Sequence, residues 1–177
     1  IAAPAAQTAS VAVKDSWLLG TIHLTDPRVT TLSPAVAKAL DSVKTLALEI
    51  DNIDDKSMAK AIGQNAALIG LSGGRRLDRL LPGGDLPALQ GAFKALGLPA
   101  NEAVLLRPWF LTTMLSRPAC EMKRQEAGLQ PLDTALRTRV LKRKARVVGL
   151  ETIADQLKAM ASLPLETEVA WLRAAIA

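Results

Sequence analysis

Aromatic side chains are nearly missing from this sequence: tyrosine is absent, and two Phe and three Trp bring the aromatic share to only 3%. Single-stranded nucleic acid is held largely by stacking on such rings, so the chain is poorly equipped for that partner despite a net charge of +5. Hydrophobic residues still make up 49% of the chain, so the core must be aliphatic. Cys120 is the one cysteine, which excludes an intrachain disulfide and any thiolate metal knuckle. Apolar runs such as residues 66–71 stop well short of the roughly 18–20 residues a membrane span needs, so no transmembrane segment is expected. Histidine also occurs once, as His23.

What is present suits one domain, since 177 residues allow a real core. Arg137, Arg139, Lys142, Arg143, Lys144 and Arg146 form the densest basic cluster. It reads as a solvated helix face whose last turn sets cations against the helix dipole. Without a nucleic-acid motif beside it, no nucleic-acid partner is expected; weak attraction to anionic membrane surfaces is the other use for such a face. Residues 1–10 are small and uncharged, and resemble the tail of a secretory signal or the linker behind its cleavage site. They read as a flexible export linker ahead of a domain over 11–177. The expected location is periplasmic or secreted.

Residues 11–13 and 17–22 read as two strands around the polar turn Lys14-Asp15-Ser16, an N-terminal β-hairpin. Ser33-Pro34 is a strong helix start, with Val36, Ala39, Leu40 and Val43 at helical spacing. Thr45-Leu46-Ala47-Leu48-Glu49-Ile50-Asp51 follows as a strand, so residues 17–51 read as a βαβ unit. A helix-rich middle comes next: 54–71, 85–97, 100–106 and 108–116, with Trp109, Phe110, Leu111 and Met114 on an apolar face. Gly73-Gly74 and Gly83-Gly84 lack the Lys and Ser/Thr of a phosphate loop and read as turns. Pro131 opens a helix with Leu132, Leu136 and Val140 on one side, 146–150 is a short strand, and helices follow to 160 and from 164. The expected fold is α/β, with α+β as the alternative, built on a central, mostly parallel sheet. The last helix reaches residue 177 without a cap, which suggests a partial domain.

His23, Glu49 and Glu151 each fall at the C-terminal end of a predicted strand. Parallel strands bring such ends to one sheet edge, where ligands and catalytic groups collect. An imidazole with two carboxylates suits a divalent cation, which lowers the pKa of bound water; without metal, the carboxylates would orient His23 as a general base. Leu46, Leu48 and Ile50 share one face of their strand, leaving Glu49 and Asp51 on the other. Glu49 lies between Leu48 and Ile50 and calls for a partner, either a metal or an arginine, whereas Asp51 reads as solvated. For Glu151 the plainer role is an acid at a helix N-terminus. Cys120 as a nucleophile activated by His23 is the weakest alternative, since cysteine usually just packs.

Trp17-Leu18-Leu19-Gly20-Thr21-Ile22-His23 followed by Leu46-Ala47-Leu48-Glu49-Ile50-Asp51 resembles the start of a TraB/GumN family domain. Leu106-Arg107-Pro108-Trp109 resembles that family's Pro-Trp element, and Gly149-Leu150-Glu151-Thr152 with Gln156-Leu157 its Gly-Leu-Glu-Thr motif. Four motifs in order, spanning 11–177, make the signal fairly specific. The resemblance implies an exported or membrane-associated bacterial protein related to Tiki metalloproteases, and more distantly to erythromycin-esterase-like and ChaN-like proteins. It implies His23 and Glu49 as active-site residues and metal ligands, Glu151 as a further metal-site candidate, and Gly20, Asp51 and Trp109 as motif residues. The family usually adds a second Gly-x-x-His, which this chain lacks, and often has Asp where Gln130 stands.

Two functions follow as expectations. The first is a metal-dependent, peptidase-like hydrolase acting on a peptide or small-molecule substrate with a divalent metal ion. This chain would hold half of the site and be inactive alone, the rest coming from a missing C-terminal half or a homo-oligomer. The second is a non-catalytic binding or regulatory protein of the cell envelope, marked by an exposed apolar patch.

Overall fold

A computed structural model describes residues 15–51 and 54–177. In chain order they form α1 (Pro27–Thr30), α2 (Pro34–Ser42), β1 (Thr45–Leu48), α3 (Asp55–Gln64), α4 (Ala66–Ile69) and α5 (Leu77–Leu80). A 3-10 turn over Gly83–Asp85 leads to α6 (Leu86–Ala95), α7 (Ala100–Ala103), α8 (Pro108–Leu115), α9 (Ala119–Glu126) and α10 (Leu132–Lys142). Then come β2 (Arg146–Gly149), α11 (Ile153–Ala161) and α12 (Leu165–Ile176). The described residues are mostly helical with one small parallel sheet, an arrangement compatible with the α/β or α+β fold expected.

β1 and β2 pair in parallel, with Thr45 opposite Arg146 and Leu48 opposite Gly149. Their hydrogen bonding runs past the strand ends: the Leu150 amide donates to the Leu48 carbonyl at 2.9 Å, and the Glu151 amide to the Glu49 carbonyl at 2.8 Å. Leu48 and Ile50 are buried while Thr45, Ala47, Glu49 and Asp51 are exposed, the alternation a strand's period of two requires. The Ser33 hydroxyl accepts from the Val36 amide at 3.3 Å and Pro34 occupies the first helical position, so α2 starts where the sequence indicates. Its Leu40 packs with Leu132, Leu136 and Val140 of α10, against Leu46 and Val147 from the two strands.

The remaining helices build a separate aliphatic core. Leu77, Leu89, Phe93, Leu111 and Leu172 are its buried centre. Between α8 and α12, Arg107 donates to the fully buried Glu168 through Nη2 and, at 3.3 Å, through Nε. Glu168 also accepts from the Trp109 amide at 3.4 Å, so one acid serves both an arginine and the open start of α8. A third cluster joins Ile69, Trp109 and Leu157.

Two local expectations come out differently, and one helix, α9, was not expected. Residues 17–22 form no strand, and the other half of the expected hairpin, 11–13, lies outside the described residues, as does the proposed linker 1–10. A strand is made by its ladder, and no backbone bond of that kind reaches 17–22 among the described residues; Trp17, Leu18, Leu19 and Ile22 are exposed. The helix read over 54–71 breaks at Asn65, whose side-chain amide donates to the Ala61 carbonyl at 2.8 Å and separates α3 from α4. α9 has no apolar stripe to announce it; its buried residue is Glu121. No helix among the described residues is long and apolar enough to cross a membrane.

Candidate functional site

The loop that carries His23 is pinned before its imidazole makes any contact. The Leu24 amide donates to the Ile22 carbonyl at 2.8 Å, closing a three-residue turn with His23 at its centre. The Leu132 amide, at the start of α10, donates to the Leu24 carbonyl at 3.2 Å. The Thr25 amide donates to Glu121 Oε1 at 2.7 Å, which ties the loop to α9.

From this turn the His23 ring meets two carboxylates. Nδ1 lies 2.8 Å from Asp133 Oδ2, and Nε2 lies 3.7 Å from Glu49 Oε2. The first is a hydrogen bond and the second an ion-pair distance. A carboxylate only accepts, so the proton of the first pair belongs on Nδ1, and Nε2 is the ring nitrogen that faces Glu49. Asp133 is buried, whereas the His23 and Glu49 side chains are each 55% exposed, so the ring is anchored on one side and open to solvent on the other.

The Gly-Leu-Glu-Thr segment shapes the other half. A Cβ on Gly149 would stand 3.0 Å from the Asp51 amide nitrogen, so glycine lets the two strand exits lie this close. Thr152 caps α11: its hydroxyl accepts from the Asp155 amide at 3.1 Å, and the Asp155 carboxylate accepts from the Thr152 amide at 3.1 Å. That start places Gln156 one turn into α11, where its Nε2 donates to Glu49 Oε2 at 3.3 Å. Among the described residues, Glu49 is thus partnered by an imidazole and an amide.

An acid–base cluster supports the loop. Arg28 binds Asp26 through two side-chain hydrogen bonds, at 3.0 and 2.9 Å, and through its backbone amide; together with Arg124 at 3.1 Å, they hold the Asp26 carboxyl well below the usual carboxylate range. Burial pushes Glu121 up, but hydrogen bonds from Thr25 and Gln125 and the charge of Arg124 outweigh it and leave Glu121 below its ordinary value. Beside His23, Leu19, Ile22, Val29, Leu32, Val36 and Leu132 line an open groove of about 270 Å³.

Of the residues singled out in the sequence, His23 and Glu49 come together. Glu151 joins them through its backbone only: its exposed carboxylate has no hydrogen bond or ion pair among the described residues. Asp51 is exposed beside Gly149, and Gly20 borders the groove with open space where a Cβ would be. Trp109 is core, its Nε1 donating to the Leu68 carbonyl at 3.2 Å and its ring packed in one cluster with Leu157 of α11. Cys120 is free and exposed on α9, with no bond to His23. Sequence reasoning missed Asp133. The available signal was an acid on the apolar stripe of α10, three residues before Leu136 and seven before Val140.

His23 Nε2 and Glu49 match in donor type the imidazole-plus-carboxylate sets that hold borderline divalent cations. An imidazole whose second nitrogen binds a carboxylate, as His23 binds Asp133, is the usual arrangement of metal-ligating histidines. The set is incomplete, since no group of three or more His, Cys, Asp or Glu side chains suited to a metal occurs among the described residues. The family model described as TraB/PrgY/gumN matches residues 7–177. No curated protein and no solved structure matches the chain. With that match spanning nearly its whole length, the chain belongs to the TraB/PrgY/gumN family.

Proposed function

We propose that the protein is a metal-dependent, peptidase-like hydrolase, with His23 and Glu49 as the part of its metal site contributed by the described residues. The observation that carries this reading is the meeting of His23 Nε2 and Glu49 Oε2 at 3.7 Å beyond the parallel strand ends, with Nδ1 held by Asp133. A bound divalent cation would supply hydroxide from water near neutral pH. Asp133 keeps the proton on Nδ1, so Nε2 stays available as a donor to the cation. Gln156 holds Glu49 toward the imidazole, and the 55% exposure of both side chains leaves room for substrate and further donors. The neighbouring apolar groove suits a hydrophobic side chain of a peptide. A periplasmic or secreted location belongs to the same reading and rests on the small, uncharged residues 1–10.

His23→Ala in the full-length protein should abolish both metal uptake and cleavage of an unstructured polypeptide. Unchanged turnover in that variant contradicts the reading. One observation favours the second function, a binding protein of the cell envelope: Trp17, Leu18 and Ile22 are 62%, 101% and 54% exposed beside the site. That function predicts no bound metal by elemental analysis of the intact protein, together with quenching or shifting of Trp17 fluorescence when a partner is added.

A further inference from the structure

Asp133 accepts from two side chains of the same segment, and the second one has no role in the proposed chemistry. Besides the His23 ring on Oδ2, the Thr21 hydroxyl donates to Asp133 Oδ1 at 2.9 Å. Residues 21 and 23 therefore turn to one carboxylate across the first turn of α10, more than a hundred residues away in the chain. We propose that Thr21 is a positioning residue: by occupying Oδ1 it fixes the rotation of the Asp133 carboxylate, and so fixes both the tautomer and the direction of the His23 imidazole.

The argument is geometric. A carboxylate held by one donor turns about its last side-chain torsion, which is broad for Asp. Held at both oxygens, it presents Oδ2 to Nδ1 in one orientation. Free histidine favours the proton on Nε2, so a protein that needs Nε2 bare must hold the Nδ1–H form by such a bond. Thr21 is exposed and its hydroxyl has no other partner among the described residues, so removing the hydroxyl disturbs little besides Asp133. The neighbouring loop bonds, from the Thr25 amide to Glu121 and from the Leu132 amide to the Leu24 carbonyl, do not involve Thr21. The proposal deepens the hydrolase reading, but its first readout does not depend on that reading.

Because His23 is the only histidine, its ring nitrogens are directly readable by nitrogen-15 NMR of the full chain. In the neutral ring, the wild type is expected to populate mainly the Nδ1–H form. Thr21→Val should shift the tautomer ratio toward Nε2–H by about fivefold, the equivalent of one ordinary hydrogen bond, while Thr21→Ser keeps the wild-type ratio. An unchanged ratio in Thr21→Val, or an equal shift in Thr21→Ser, overturns the proposal. Should Thr21→Val fail to fold, Thr21→Ala replaces it with the same expected shift. A tautomer shift in a protein whose wild type hydrolyses nothing would remove the hydrolase reading and leave the role of Thr21 standing.

Discussion

The edge of the sheet and the helical core are built on opposite terms. In the core, Leu77, Leu111, Leu172 and Glu168 are fully buried, and the Arg107–Glu168 pair is closed off by the Trp109 amide and the Ala161 and Leu163 carbonyls. At the sheet edge the decisive groups, His23 and Glu49, are more than half exposed, and single hydrogen bonds to Asp133 and Gln156 hold them. The contrast separates what holds the chain folded from what equips it to bind. Trp109 links the two: it packs with Leu157 on the helix that carries Gln156. Changes in the core should therefore cost stability, and changes at the edge should cost chemistry.

Arg107→Met tests the core side and should have the largest effect. It leaves Glu168 buried without its cation, a loss of about 3–5 kcal/mol in urea-induced unfolding. If it also moved the His23 tautomer, the two regions would not be independent. Asp133→Asn tests the other side: it should weaken metal binding about 10- to 100-fold, read by calorimetry, because an amide no longer enforces the Nδ1–H form.

Acid sharpens the comparison further. The Asp26 and Glu121 carboxyls lie below their ordinary values in the folded chain, as does Asp41, hydrogen-bonded by Arg139. Groups of this sign contribute stability that is fully present above their unfolded values, about 3.9 and 4.3, and is lost as pH falls through the folded ones. Unfolding midpoints should thus be flat above about pH 5 and fall below about pH 4. Arg124 reaches both Asp26 and Glu121, so Arg124→Met should be less stable than the wild type at pH 7, and the gap should narrow in acid only as those carboxylates become protonated in the folded chain. The smallest expected effect is at the turn from α10 into β2, where Lys144 has φ 58°, a conformation that glycine adopts freely. Lys144→Gly should gain up to about 1 kcal/mol with no change at the site.

Much of this plan was legible in residue order. Ser33-Pro34 announced α2, the alternation at 45–51 announced which side of β1 is buried, and Glu49 lies just beyond the end of β1, whereas the strand expected before His23 does not form and that residue reaches Glu49 from a loop. The limits have physical causes. Residues 17–22 have a strand's composition, but pairing is a tertiary property that composition cannot supply. Asp133 was hidden because an acid in the first turn of a helix is ordinary on dipole grounds, and only the folded chain shows it turned inward toward Thr21 and His23. Glu151 looked equivalent to Glu49 by position, yet its backbone joins the sheet edge while its carboxylate stays in solvent.

The most direct trial of the shared site is a zinc titration followed at the two nitrogens of the single imidazole, in the wild type and in Glu49→Gln. The account predicts that zinc moves the Nε2 resonance, leaves the Nδ1 proton in place, and binds at least about tenfold more weakly when Glu49 is replaced. A zinc shift at Nδ1, or equal affinity in the two proteins, would contradict it.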